Sequence, residues 1–309
     1  MRFLSHSNAV KVMAGMTVPA LCLALQAGTL SAAPAPPVAA DPAQAVPERV
    51  EARLDARDQA VAFDRAGRIR EALGFPAGKT RTGKHVRDGF QNTEYDEVAE
   101  IGTDGHPVAI TQLDANGNLR AAVRFDRPSR IGGMATRDQA VQFARRSIAS
   151  AEMTVDTGPI VEADEATGGW SIRWERKAQG VRVRGDETRV QLWPDGQVWS
   201  LARVEHQLAE ISSHPINQGQ ARQVATTNLN GWFADTGSSY QIQALTLEWV
   251  EPNDAFSNST SLEPPEAVPY RLAWVAEVKP TGDPASYLYL MCVYIDAGDG
   301  DIIGGDFVA

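Results

Sequence analysis

The chain is 309 residues long and carries 29 Lys and Arg against 39 Asp and Glu, a formal net charge of −10. An acidic balance of this size argues against a nucleic-acid binder, whose affinity rests on cationic contacts to phosphate. The length exceeds that of one typical domain, so two or three compact units are expected.

Residues 1–40 contain only Arg2 and Lys11 as charges, then an apolar run from Val12 to Leu30 broken by Thr17, Pro19 and Gln26, then Ser31-Ala32-Ala33-Pro34-Ala35-Pro36-Pro37. That order reads as a secretory signal peptide with a Pro/Ala-rich linker rather than a membrane anchor. Cleavage is expected between Gly28 and Asp41, giving a secreted, periplasmic or cell-surface protein with no stable transmembrane segment. Pro19-Ala20-Leu21 before Cys22 lacks the small pair of a lipoprotein attachment site. Removal of residues 1–40 takes away two of the 29 basic residues and no acid, moving the net charge to −12. Cys292 then remains as the sole cysteine, within Tyr287-Leu288-Tyr289-Leu290-Met291-Cys292-Val293-Tyr294-Ile295, and reads as a small buried strand residue.

The first unit is placed at 41–127. Its helix lies within Pro47 to Leu73, with Ile69 and Leu73 closing the apolar stripe before Gly74. Strands Val108 to Leu113 and Leu119 to Phe125 flank the turn Asp114-Ala115-Asn116-Gly117-Asn118.

The second unit, 128–210, opens with an internal repeat. Arg57-Asp58-Gln59-Ala60-Val61-Ala62-Phe63 returns as Arg137-Asp138-Gln139-Ala140-Val141-Gln142-Phe143, matching at six of seven places with a shift of 80. Thr136 and Gln139 have capping-box spacing, and Ala140, Ala144 and Ile148 make one helical stripe. Trp170-Ser171-Ile172-Arg173-Trp174 alternates as a strand. Val181 to Val183 and Thr188 to Trp193 follow as strands, and Pro194-Asp195-Gly196 turns the chain into Gln197 to Val204.

The third unit, 211–309, repeats the order more loosely. Asn217 and Gln220 take the cap positions, with Ala221, Ala225 and Leu229 as the stripe. Tyr270-Arg271-Leu272-Ala273-Trp274 matches Trp170 to Trp174 exactly 100 positions on. Tyr287 to Ile295, the turn Asp296-Ala297-Gly298-Asp299-Gly300-Asp301 and Ile302-Ile303 close the unit, and Pro252 to Pro269 is a loop insertion. The fold class expected is α+β: tandem modules, each a helix packed on a small antiparallel β-sheet, stacked on its neighbours.

The order of helix, hairpin and closing strand resembles the PepSY domain and the related propeptides of thermolysin-like and fungalysin-like proteases. The resemblance rests on Gly180-Val181-Arg182-Val183-Arg184-Gly185-Asp186-Glu187-Thr188-Arg189-Val190, on Asp195-Gly196-Gln197-Val198, on Leu272-Ala273-Trp274-Val275 and on Val293-Tyr294-Ile295-Asp296-Ala297-Gly298-Asp299-Gly300. It covers about Thr136 to Gly304. It implies PepSY/cystatin-like modules that assist the folding of, or hold inactive, a secreted peptidase. Because the sequence stops at Ala309, just past the last turn, the expectation is a freestanding partner or extracellular binding module.

Catalytic constellations are not found in the sequence. His6, His85, His106, His206 and His214 do not form H-E-x-x-H, no serine sits in a G-x-S-x-G elbow, and Gly132-Gly133 and Gly304-Gly305 make no phosphate-binding fingerprint. His206 and His214 read as two solvated histidines around a linker. Asp296, Asp299, Asp301 and Asp306 suggest calcium, but their spacing fails the EF-hand order and a tight hairpin is preferred. Arg184-Gly185-Asp186 spells an adhesion tripeptide within the family's G-D turn and is discounted. Trp193 and Trp199 flank one hairpin and are candidates for an exposed aromatic surface. No catalytic, cofactor-binding or metal residue is singled out and no cofactor is expected. The expected function is non-catalytic binding of a secreted peptidase or another extracellular polypeptide, through sheet edges that accept a strand. An envelope-associated structural module and an unrecognised secreted hydrolase are the alternatives.

Overall fold

Among the described residues three helices begin where capping side chains place them. In the computed structural model, which describes residues 49–88, 93–126, 133–234, 239–253, 255–256, 268–281 and 290–308, they are α1 (Ala56–Ala72), α2 (Arg137–Ser150) and α3 (Gln218–Phe233). These residues belong to the unit Gln44–Val308; the other unit, Met1–Ala43 with Ala309, and with it the proposed signal peptide, lies outside the described residues. Both capping boxes form: Gln139 N–H donates to Thr136 Oγ1 at 3.3 Å and Gln220 N–H to Asn217 Oδ1 at 3.0 Å, and each glutamine returns its Oε1 to the cap N–H. Asp55 caps α1 instead, its Oδ1 accepting from Arg57 and Asp58 N–H at 2.9 and 2.8 Å.

The apolar stripes of α2 (Ala140, Ala144, Ile148) and α3 (Ala221, Ala225, Leu229) are buried as their spacing requires. In α1 the buried residues are Ala62, Ala66 and Ile69, while Val61 is 66% exposed. The repeated heptapeptide is therefore out of phase in space: Ala140 is fully buried, yet Ala60, its counterpart at a shift of 80, faces solvent. A two-residue offset is 200° around a helix, enough to carry a matching letter to the opposite face.

The described residues also form thirteen strands: β1 (Arg49–Arg53), β2 (Thr80–Asp88), β3 (Thr93–Ile101), β4 (Pro107–Leu113), β5 (Leu119–Arg124), β6 (Ile160–Asp164), β7 (Gly169–Ala178), β8 (Val181–Leu192), β9 (Val198–Val204), β10 (Ser239–Val250), β11 (Arg271–Thr281), β12 (Leu290–Asp296) and β13 (Ile302–Val308). Each helix is followed by four antiparallel strands, but these do not form separate small sheets. β5 pairs antiparallel with β9 through Ala121↔Ala202, Ala122↔Leu201 and Val123↔Ser200, and β10 pairs parallel with β8 through Glu248↔Arg182 and Trp249↔Val183. The result is one mixed sheet in the order β1-β2-β3-β4-β5-β9-β8-β10-β11-β12-β13, with β6-β7 branching from β8. The expected α+β tandem modules, each a helix on its own antiparallel sheet, are thus replaced by a single predominantly β structure. The physical reason is that a three- or four-stranded sheet exposes rows of unpaired N–H and C=O groups, and edge-to-edge pairing satisfies them.

The core follows the same fusion. Ile69 and Leu73 of the first unit, Ala140, Ala144 and Ile148 of α2, and Ile172, Trp174, Val190 and Leu201 belong to one apolar cluster. α3 has its own cluster with Leu245, Ala276, Val278, Met291, Val293 and Ile295. Alternate residues of the same strands, Val250, Ala273, Val275, Cys292 and Tyr294, pack together on the face opposite α3.

The correspondence between Trp170–Trp174 and Tyr270–Trp274 is shifted by four residues from the sequence match. Trp170 Nε1 donates to Ala135 C=O and Trp274 Nε1 to Ile216 C=O, both at 3.0 Å, and these acceptors immediately precede the caps Thr136 and Asn217. Ala135 N–H reaches Pro194 C=O and Ile216 N–H reaches Ala297 C=O, both at 2.7 Å, so each pre-cap residue is tied on both sides. Trp274 is the counterpart of Trp170, at a separation of 104 rather than 100.

Candidate functional site: the junction at Arg184–Asp186

β8 changes partners in its middle. Its pairing with β7 runs Lys177↔Arg182 and then jumps to Glu175↔Glu187, so four residues, Val183 to Asp186, stand opposite Arg176 alone. Gly185 takes φ +85°, a left-handed conformation that disfavours any side chain and lets the strand bulge. Beyond the bulge β8 pairs with β9, and before it with β10.

The Asp186 side chain is completely buried and ties down the departing end of β9. Its Oδ1 lies 2.5 Å from His206 Nδ1, and its Oδ2 accepts from Arg176 Nη1 at 2.8 Å and from His206 N–H at 3.0 Å. Arg176 also donates to His206 C=O at 2.9 Å and pairs with Glu205 at 3.1 Å. The His206 ring stacks on Tyr270, with centroids 4.4 Å apart and planes 10° from parallel. Tyr270 exchanges backbone hydrogen bonds with Gln207 and Ala209, both 2.8 Å. Burial, followed by the charges of Glu251 and Asp186, pushes the Tyr270 phenol upward. His206, read from sequence as solvated, is a member of this junction, whereas His214 is exposed, its N–H donating to Ser212 Oγ at 3.3 Å.

Arg184 extends to the face opposite α3. Its guanidinium donates to Glu248 Oε2 on β10 at 3.2 Å, to Asp306 on β13 at 3.2 Å and to Cys292 Sγ on β12 at 3.4 Å. It therefore crosses β11, where Ala273 and Val275, both fully buried, stand on that face between the flanking strands. Tyr294 completes the cluster, its hydroxyl donating to Asp306 Oδ2 at 2.7 Å and its ring lying 5.7 Å from the Arg184 Cζ. Burial opposes the Arg184 charge, but Tyr294, Asp306, Cys292 and Glu248 outweigh it and hold the guanidinium protonated. Burial pushes the Cys292 thiol up to about 12, with Arg184 opposing and Asp306 adding to the shift.

The tripeptide Arg184-Gly185-Asp186 thus supplies a junction: one charged residue binds the third unit's sheet, the next binds the end of β9, and the glycine between them allows both. The resemblance marked Gly185-Asp186 as a turn, whereas the pair forms a bulge inside the continuous strand β8, and nothing in the sequence pointed to Arg176, His206, Tyr270 or Glu248 as partners, since they come from four other segments. Trp193 and Trp199 are half-buried, with ring centroids 5.8 Å apart. The more exposed aromatic group is Trp232, Phe256 and Phe307, stacked or tilted at 5.1 and 5.6 Å, with Phe307 62% exposed. In the Asp-rich turn, Asp296 accepts from Gly298 N–H at 2.6 Å and pairs with Arg271 at 2.7 Å, while Asp306 belongs to the Arg184 cluster. Among the described residues no helix is long and apolar enough to cross a membrane.

Fold and junction together define a β-rich protein in which three helix-and-four-strand units share one sheet. No protein-family model matches the chain, and no curated protein matches it by sequence. Among solved structures it is similar to the Bacillus megaterium YpeB C-terminal domain, at 13% identity and a TM-score of 0.41, over 83% of this chain and 99% of that one. A likeness at this level carries no argument about activity.

Proposed function

We propose that the chain is an exported, non-catalytic PepSY-like protein that binds an extended segment of a secreted polypeptide, with a secreted peptidase as the partner class. The observation that carries this reading is that the charges of the Gly-Asp phrase are committed to holding strands together. Arg184 and Asp186 are saturated by protein groups, and the nearby thiol of Cys292 stays protonated to about 12. A nucleophile needs the opposite arrangement, a depressed pKa and access. What such a sheet offers a partner is backbone and surface, which suits recognition of another chain.

The test is a titration of the peptidase activity of the native culture supernatant, and of its recovery from denaturant, with the purified protein on a fluorescent casein substrate. Inhibition, or an increased refolding yield, at near-stoichiometric protein is expected. Unchanged activity and unchanged yield over a tenfold excess overturn the regulatory reading.

A further inference from the structure

Every sheet that does not close into a barrel has edges, and proteins blunt them with charge, proline, bulges or covering loops. Three edges here follow that rule. β1 carries Arg49, Glu51 and Arg53 within five residues, and β6 carries Glu162 and Asp164 within five. β13 is covered by Asn253, whose N–H donates to Ile303 C=O at 2.9 Å while its Oδ1 accepts from Gly305 N–H at 3.0 Å.

β10 is different. One side is paired along its length with β11, whereas on the other side, among the described residues, it meets β8 only at Glu248 and Trp249. The remaining stretch, Ser239-Tyr240-Gln241-Ile242-Gln243-Ala244-Leu245-Thr246-Leu247, contains no charged residue and no proline, in a chain that is 22% charged. Its polar positions Ser239, Gln241, Gln243 and Thr246 are exposed. Its apolar positions Tyr240, Ile242 and Leu245 pack under α3. α3 runs alongside: Gln218 Nε2 donates to Leu245 C=O at 3.0 Å and the Tyr240 hydroxyl donates to Asn230 Oδ1 at 2.7 Å. Two devices blunt it: the Gln218 side chain from α3 takes the Leu245 C=O, and a bulge at Gln243 raises the local twist and leaves four-residue runs on either side.

We infer that the outer edge of β10, from Ser239 to Leu247, is a strand-addition site for an extended polypeptide of alternating apolar and uncharged polar residues. This rests on the polypeptide-binding reading above and names its site. The lane beside β10 already accepts a strand where β8 enters it at Glu248 and Trp249, so the geometry of pairing is established at one end. Backbone hydrogen bonds supply the affinity of such a complex, and alternate side chains select the sequence. An uncharged edge suits an uncharged strand, because a charge brought to it would lose water without gaining a partner.

The test uses the full protein and a blocked nine-residue peptide of alternating valine and threonine, with hydrogen–deuterium exchange read over 239–250. Saturating peptide is expected to slow exchange across Ser239 to Leu247 at least tenfold. The same peptide N-methylated at alternate amides is expected to slow nothing. A Gln241→Lys, Gln243→Lys double variant, altered only at exposed positions, is expected to keep its melting temperature and lose the protection. Absence of protection, equal protection by the N-methylated peptide, or an edge already protected in a concentration-dependent dimer each overturns the proposal. If the edge fails while the double variant still acts on the supernatant peptidase, only this site is wrong; if both assays are negative, the polypeptide-binding reading falls with it.

Discussion

Trp170 and Trp274 make the same hydrogen bond 104 residues apart: each indole N–H donates at 3.0 Å to the carbonyl immediately before a helix cap, Ala135 in one case and Ile216 in the other. The bond fixes where each helix begins relative to the second strand that follows it. Replacing either tryptophan by phenylalanine removes the donor and leaves the carbonyl short of a partner, at a cost of about 1–3 kcal/mol each. The two sites share no partner, so the double variant is expected to sum the singles within about 0.5 kcal/mol in urea denaturation.

Asp186→Ala leaves the Arg176 guanidinium and the His206 N–H without their acceptor at a completely buried position. A loss of about 3 kcal/mol or more is expected in chemical denaturation. Gly185→Ala, at φ +85°, is expected to cost about 1–2 kcal/mol through backbone strain alone.

The repeated heptapeptide gives a test of phase. Ala140→Asp places a carboxylate in the core shared by the first two helices and is expected to destabilise by more than about 3 kcal/mol. Ala60→Asp, at the matching letter but on the exposed side of α1, is expected to change stability by no more than about 0.5 kcal/mol. Thermal denaturation of the two variants separates the alternatives.

Alkaline pH is expected to weaken the fold before it touches the salt bridges. The Cys292 thiol is raised by burial to about 12 in the folded protein, from an ordinary value near 9. Between those values the unfolded chain releases a proton that the folded one keeps, so stability is full below about pH 9 and declines as pH rises towards 12. Tyr95, raised by burial from 10 to about 12, adds a loss of the same sign starting one unit higher. Cys292→Ala is expected to flatten the first part of that decline in urea denaturation between pH 8 and 11, and the native thiol is expected to resist a thiol-specific dye until the protein unfolds.

Local features were legible in the sequence because their causes are local. Thr136 with Gln139 and Asn217 with Gln220 announce their helices through side chains that bond the adjacent backbone, and the stripes at Ala140 and Ala221 follow from 3.6 residues per turn. The turn at Gly196 and the one at Gly300 were equally visible, since each needs positive φ, 85° and 86°. The tertiary structure alone decided that the three units share one sheet, that the repeat is out of phase on α1, and that Arg184 and Asp186 join distant strands. Strand edges pair through backbone groups that every residue possesses, so no pattern of side chains announces that β10 will run parallel beside β8. A buried carboxylate likewise meets whichever donors the chain path delivers, and Arg176, His206 and Tyr270 become its neighbours only once β7 and β9 have been laid beside β8 and β10 has carried β11 next to them.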